Sequence, residues 1–297
     1  MEPDSSAMVE VEGVQIVCRT IGKGPPLLVL NGFAATSADW DPCFIDQLAS
    51  RHKLILLNNR GIGGSTDDGQ SFDIAKLAND AAHVIETLGF ERTSVMGWSM
   101  GGFIAQALAV EYPDRVHKLI LLSTDSGGTG ADLASPAVWS RLIDTSGTPH
   151  QQARRLLSLL FPSGVAESFY RDFGDIIAAG RAQLSSALLK RQAAAMDEWH
   201  RNGVANRLRK IRVPVLIATG IEDVVIPPSN ALKLVNAIPG SWLAQFSCSG
   251  HAFMAQYPQA VADLINSFLA FDDIRWSRLA KRRSRPSAAT APSRCRD

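Results

Sequence analysis

Residues 93–105 begin as a short apolar run, Ser94-Val95-Met96, pass through Gly97-Trp98-Ser99-Met100-Gly101-Gly102 and continue as Phe103-Ile104-Ala105. The pattern predicts a strand that meets a helix across a turn too tight for side chains. Glycines two residues either side of Ser99 permit a close approach that a Cβ would block. Such a turn pushes its apical side chain, the Ser99 hydroxyl, into the open beside the N–H groups of a helix start. A nucleophile needs that position. The pentapeptide alone selects little, since common glycine and serine produce G-x-S-x-G by chance in about one chain in ten of this length. Its neighbours decide.

Continuous apolar runs of strand length recur along the chain: Leu27-Leu28-Val29-Leu30, Lys53-Leu54-Ile55-Leu56-Leu57-Asn58, and Leu119-Ile120-Leu121-Leu122. Runs of this kind suit strands buried on both faces. Helical patterns separate them. Residues 41–50 carry Phe44, Ile45, Leu48 and Ala49 on one side. From an N-cap region at Ser71-Phe72-Asp73 to a stop at Gly89, the core stripe is Ile74, Leu77, Ala78, Ala81, Val84, Ile85 and Leu88. An alternating stretch around Val9-Glu10-Val11 and Val14-Gln15-Ile16-Val17-Cys18 predicts a leading β-hairpin. Strand and helix in alternation predict an α/β fold with a mostly parallel sheet covered on both faces.

After Ser123 the rhythm breaks. Residues 124–210 hold helical patches at 137–143, 153–161 and 176–199, punctuated by Gly147-Thr148-Pro149 and Pro162-Ser163-Gly164. The sheet pattern then resumes with residues 213–219, a helix at 228–237, a strand at 242–246 and a helix at 258–271. The expected organisation is one α/β core, residues 1–123 and 211–272, carrying a helical insertion at 124–210. Chain from both sides is needed to finish the sheet, so the insertion is not read as a separate domain. The tail, 273–297, is rich in Ser, Ala, Pro and Arg and is expected to be disordered.

Charge narrows the partners. The chain has 297 residues and a net charge of +1, but the stretch from Ile274 onward carries +7, which leaves −6 for the rest. A mildly acidic body offers no basic face for nucleic acid. The cysteines Cys18, Cys43, Cys248 and Cys295 are scattered, without the spacing of a zinc site, and suit free thiols. No run is long enough to span a bilayer, and the polar, acidic N-terminus lacks the pattern of a secretion signal, so a cytoplasmic protein is expected.

A serine hydroxyl attacks only when a base takes its proton and a third group holds that base. Of six histidines, only His251, in Ser249-Gly250-His251-Ala252-Phe253, falls in a loop just past a late strand. Asp223, in Gly220-Ile221-Glu222-Asp223-Val224-Val225-Ile226-Pro227, directly follows the strand ending at Thr219. Carboxyl ends of parallel strands are where such sheets hold their ligands. Asp125 follows residues 119–122 in a similar place and is the rival acid; Glu222 is the neighbour to exclude. Gly61-x-Gly63-x-x-Thr66 approaches a dinucleotide fingerprint but lacks the third glycine and the acidic residue after a second strand, so no nucleotide cofactor is expected.

The order Ser99, Asp223, His251, with the serine at a strand-to-helix elbow, resembles the α/β-hydrolase fold family. The resemblance runs from about residue 25 to 271 and includes Asn59-Arg60-Gly61-x-Gly63-x-Ser65, similar to a turn common in that family. It implies that the 124–210 insertion is a lid and that the backbone amides of Phe33 and Met100 form an oxyanion hole. Where the family usually has His-Gly-x, this chain has Asn31-Gly32-Phe33, which bears on how that loop is anchored. Trp98 and Trp139 are the expected substrate contacts. The implied reaction is cofactor-independent hydrolysis of a small ester or lactone. A serine nucleophile also suits C–C hydrolases and cofactor-free perhydrolases, and a non-catalytic receptor on the same scaffold is the contrasting class.

Overall fold

The computed structural model describes residues 5–271, so the basic tail and Cys295 lie outside the described residues. An antiparallel hairpin, β1 (Ser5–Val11) and β2 (Val14–Ile21), opens the chain. Strand and helix then alternate as β3 (Pro26–Leu30), α1 (Pro42–Ala49), β4 (Lys53–Leu57), α2 (Ile74–Thr87), β5 (Thr93–Trp98), α3 (Met100–Glu111) and β6 (Val116–Leu122). Four α-helices follow with no strand among them: α4 (Pro136–Leu142), α5 (Pro149–Leu160), α6 (Ser163–Ala182) and α7 (Ser186–Asn202). The sheet resumes with β7 (Val215–Gly220), α8 (Ser229–Ala237), β8 (Trp242–Phe246), α9 (Phe253–Gln256) and α10 (Pro258–Leu269).

The strands form one sheet in the order β1-β2-β4-β3-β5-β6-β7-β8. It is antiparallel at β1–β2 and β2–β4 and parallel from β4 to β8, as the apolar runs predict. Alternation along each run sorts side chains between two cores. Leu27, Val29, Leu54 and Leu56 face α1 and α10, where they meet Phe44, Leu48, Ile265 and Phe268. Leu28, Leu30, Ile55 and Leu57 face the opposite way, toward Leu77, Ile85, Phe103 and Leu108 of α2 and α3. Each fully buried side chain of this size contributes about 1.5–3 kcal/mol, so both helical layers are strongly held.

Helix starts follow local chemistry. Asp41 Oδ1 accepts the Phe44 amide at 2.9 Å and Asp73 Oδ1 accepts the Lys76 amide at 2.7 Å. Caps of this kind are worth about 1 kcal/mol each. Gly89, at φ 79°, follows the end of α2 as expected. Two expectations fail. α6 begins at Ser163, inside the stretch read as a break, because Pro162 takes the N-cap position and Gly164 falls in a first turn whose N–H groups are unpaired in any helix. The patch read as continuous over 176–199 is divided at 183–185, where Ser185 Oγ accepts the Leu188 amide and starts α7.

The glycine-rich turn after β4 is filled by its own side chains. Arg60, 2% exposed, donates Nε and Nη2 to the two oxygens of buried Asp80 on α2, at 2.5 and 2.9 Å. Ser65 Oγ donates to Asn58 O and accepts the Val17 amide. A Cβ on Gly63, which sits at φ 53°, would lie 2.4 Å from Asn58 Nδ2. This turn is a clasp between β2, β4 and α2.

Candidate active site

β5 and α3 meet at Ser99, which holds φ 57° and ψ −122°. For a residue with a Cβ this backbone costs roughly 1–3 kcal/mol and persists only when its surroundings enforce it. They do: the Ser99 amide donates to Leu122 O at 3.0 Å, and its carbonyl accepts Gly102 N and Thr124 Oγ1. A Cβ on Gly97 would sit 2.1 Å from Gly101 O, and one on Gly101 would sit 2.1 Å from Leu30 O. Both glycines are therefore required by close backbone approach.

His251 Nδ1 lies 2.8 Å from Asp223 Oδ2, and both residues are buried. The other carboxylate oxygen accepts the amides of Val225 and Ile226 at 2.9 and 2.8 Å. A carboxylate oxygen accepts, so in this contact it is Nδ1–H that donates. His251 and Ser99 line one cavity of about 60 Å³ together with Phe33, Trp98, Asp39 and Arg181. Among the described residues no hydrogen bond joins Ser99 Oγ to His251. Trp98 Nε1 donates to His251 O at 3.0 Å, and the two rings lie 5.5 Å apart. Trp98 thus lines the site and also braces the histidine.

The loop after β3 lies on the serine: a Cβ on Gly32 would be 3.4 Å from Ser99 Cβ. Among the described residues the amides of Phe33 and Met100 donate to no acceptor. Asn31 anchors this loop with both ends of its amide. Its Oδ1 accepts Trp40 Nε1 at 2.6 Å and its Nδ2 donates to Leu57 O at 2.8 Å. From α7, Gln192 Oε1 accepts the Ala34 amide at 2.9 Å.

The rival acid belongs to a different histidine. Asp125 Oδ1 accepts the Gly127 amide and Trp199 Nε1, while its Oδ2 lies 3.5 Å from His200 Nε2. Glu222 is exposed and engages Ser249 only through its amide. His52 contacts Asn266, His83 bonds Asn79 O, and His150 faces Asp175 at the surface. A second cavity, of about 380 Å³, also opens onto Ser99; Phe103, Asp125, Trp139 and His200 line it. Trp139 therefore reaches the site, packed edge-on against His200 at 5.5 Å.

Two residues of the smaller cavity, Arg181 and Asp39, carry no signal in the sequence, because they arrive from α6 and from the loop before α1 by tertiary packing alone. Burial, with Arg155 adding to it, lowers the pKa of Arg181; burial pushes the Asp39 carboxyl up. Among the described residues no group of three His, Cys, Asp or Glu side chains is arranged to hold a metal ion, and no helix is long and apolar enough to cross a membrane.

A protein of Azorhizobium caulinodans, provisionally named as the carbamate hydrolase RutD, is 28% identical over 249 residues, which is 83% of this chain and 92% of that one. A poly(3-hydroxyalkanoate) depolymerase of Ectopseudomonas oleovorans is 26% identical over 247 residues, 82% of this chain and 84% of the depolymerase. The crystal structure of the enol-lactonase of Burkholderia xenovorans matches the fold with a TM-score of 0.75 at 21% identity, covering 89% of this chain and all of the lactonase. The family model described as the alpha/beta hydrolase fold matches residues 25–256, from just ahead of β3 through the Ser99 elbow to the end of α9. The chain therefore belongs to the α/β-hydrolase family of enzymes.

Proposed function

We propose that the protein is a serine hydrolase of carboxylic esters or lactones that works through an acyl-enzyme. The observation that carries this reading is the 2.8 Å bond between His251 Nδ1 and Asp223 Oδ2 in the wall of the cavity that holds Ser99. Ser99 Oγ attacks the substrate carbonyl carbon while His251 Nε2 takes its proton. Asp223 holds the ring and stabilises the imidazolium. The negative oxygen of the tetrahedral intermediate is received by the unengaged amides of Phe33 and Met100. Collapse breaks the bond to the leaving oxygen, which takes the proton from His251 Nε2. Water then attacks the acyl-enzyme, giving its proton to His251; the acid departs, and Ser99 Oγ recovers that proton.

In this reading residues 1–123 and 211–272 are the catalytic core, and α4–α7, within 124–210, form a lid. Support comes from residues of those helices in both cavity walls: Trp139 and His200 in one, Leu156 and Arg181 in the other. The test is labelling of Ser99 by a fluorophosphonate together with turnover of short p-nitrophenyl esters. Ser99→Ala or His251→Ala should lower kcat by roughly four to six orders of magnitude. Equal rates for Ser99→Ala and wild type would overturn the assignment. A receptor on this scaffold would bind saturably without turnover and resist the label.

A further inference from the structure

Arg181 stands in the wall of the cavity that holds Ser99 and His251, yet it is not satisfied there. Its side chain is 7% exposed; Nε donates to Gln152 Oε1 at a long 3.3 Å, and Nη1 is buried without a partner. Among the described residues no carboxylate comes within 4.0 Å of the guanidinium. Asp39, in the same cavity, acts on it only at longer range. Oδ2 of Asp39 is taken by the Thr36 amide at 2.6 Å, and burial favours its uncharged form. A buried cation with an idle donor is costly to keep, and packing alone would be served as well by an apolar side chain. The guanidinium is planar, permanently charged and buried in the cavity wall, which suits it to a carboxylate.

We propose that Arg181 binds a carboxylate on the substrate, so that the ester or lactone this enzyme takes is an anionic one whose carboxylate meets Arg181 while its carbonyl meets Ser99. The placement of the carbonyl rests on Ser99 being the nucleophile; the carboxylate contact at Arg181 does not. It assigns Arg181 to substrate choice and not to the chemical step. A substrate lacking the charge leaves the guanidinium unpaired, and sites built around a buried polar group discriminate strongly against such analogues.

The test pairs mono-p-nitrophenyl esters of dicarboxylic acids, from glutarate to suberate, with the same compounds methylated at the free carboxylate. Wild type should favour the charged member by about 10- to 100-fold in kcat/KM at one or more chain lengths, the range of a charge-assisted hydrogen bond. In Arg181→Met that ratio should fall to about one, with Arg181→Lys between, since a point charge replaces the fork. Thermal unfolding supplies the second readout: Arg181→Met should melt no lower than wild type, because an unpaired buried charge has been removed. A wild type indifferent to the charge at every length, or a preference that survives Arg181→Met, overturns the proposal. Titration calorimetry of the same esters with Ser99→Ala separates it from the nucleophile assignment. If Ser99 fails to label but binding still prefers the charged member through Arg181, the anion site stands and the catalytic reading falls.

Discussion

Gly101→Ala tests whether the elbow is as tight as its geometry requires. A Cβ at position 101 would lie 2.1 Å from Leu30 O, 2.6 Å from Leu30 C and 2.8 Å from Asn31 O. Ordinary contact begins at 3.4 Å, so the nearest pair is short by 1.3 Å. No rotamer can relieve this, because every obstacle is backbone of β3 or of the loop that follows it. Overpacking that side chains can absorb costs about 1–3 kcal/mol; here the upper end is expected, near 3 kcal/mol, or roughly 6–12 °C in Tm. Relief requires α3 to move away from β3, which parts the Met100 amide from the Phe33 amide. Misplacement of catalytic groups by about 1 Å costs on the order of 100-fold in rate. Gly164→Ala is the control: nothing lies within 4 Å of its Cβ position, and alanine in that helix should add about 0.5 kcal/mol. Calorimetric melting and p-nitrophenyl acetate turnover read both. A Gly101→Ala protein that melts with wild type and keeps its kcat would show that the elbow is loose and the close-approach argument wrong.

Other perturbations separate strain, charge and burial. Ser99→Gly should be about 1 kcal/mol more stable than Ser99→Ala, both inactive on esters, because only glycine relaxes the φ 57° backbone; equal melting of the two would contradict the strain. Asp80→Ala leaves the Arg60 guanidinium with its 3.1 Å contact to exposed Asp68 and should cost about 3 kcal/mol, the low end for a broken buried pair, whereas replacing both residues with apolar ones should cost much less, as a urea double-mutant cycle would show. The Asp39 carboxyl has a raised pKa, so the folded state binds its proton more tightly than the unfolded chain does. Its contribution to stability therefore falls as pH rises above the ordinary carboxylate value of about 4. Asp39→Asn should be more stable than wild type at neutral pH, with the advantage vanishing below that value; an advantage independent of pH would refute the cause. Burial pushes the Cys18 thiol up to about 12. Iodoacetamide at mildly alkaline pH should modify exposed Cys43 and Cys248 and reach Cys18 only on unfolding, by peptide mass mapping.

The parallel sheet was readable because its strands are covered on both faces, so runs such as 27–30 and 119–122 carry no polar interruption. The elbow was readable because close backbone approach leaves glycine as the only residue that fits. Chain order leaves two acids, Asp125 and Asp223, each after a strand end between Ser99 and His251; the 2.8 Å contact of Asp223 with His251 is a tertiary fact that order alone does not select. Other features have no local signature. Arg181, Asp39, and the Asp125–His200 contact depend on how α6, α7 and two loops settle against the sheet, which periodicity does not encode. α9 spans only four residues, too few for a helical stripe to register. Asn31 reads as a departure from the family pattern, but its bonds to Trp40 and Leu57 make it a different solution to anchoring the same loop.

The helices α4–α7 leave from β6 and return at β7, and these strands are neighbours, paired from Leu119↔Val215 to Leu122↔Ala218. The excursion is thus a detour between two fixed posts. Doubling the length of such a detour adds only about 0.6 kcal/mol of closure entropy. Ser99, Asp223 and His251 all lie outside it, whereas Trp139, Arg181 and His200 lie within it. On the proposed reading, exchanging this segment would leave Ser99, Asp223 and His251 in place while replacing Trp139, Arg181 and His200, so reaction type and substrate preference would be separable.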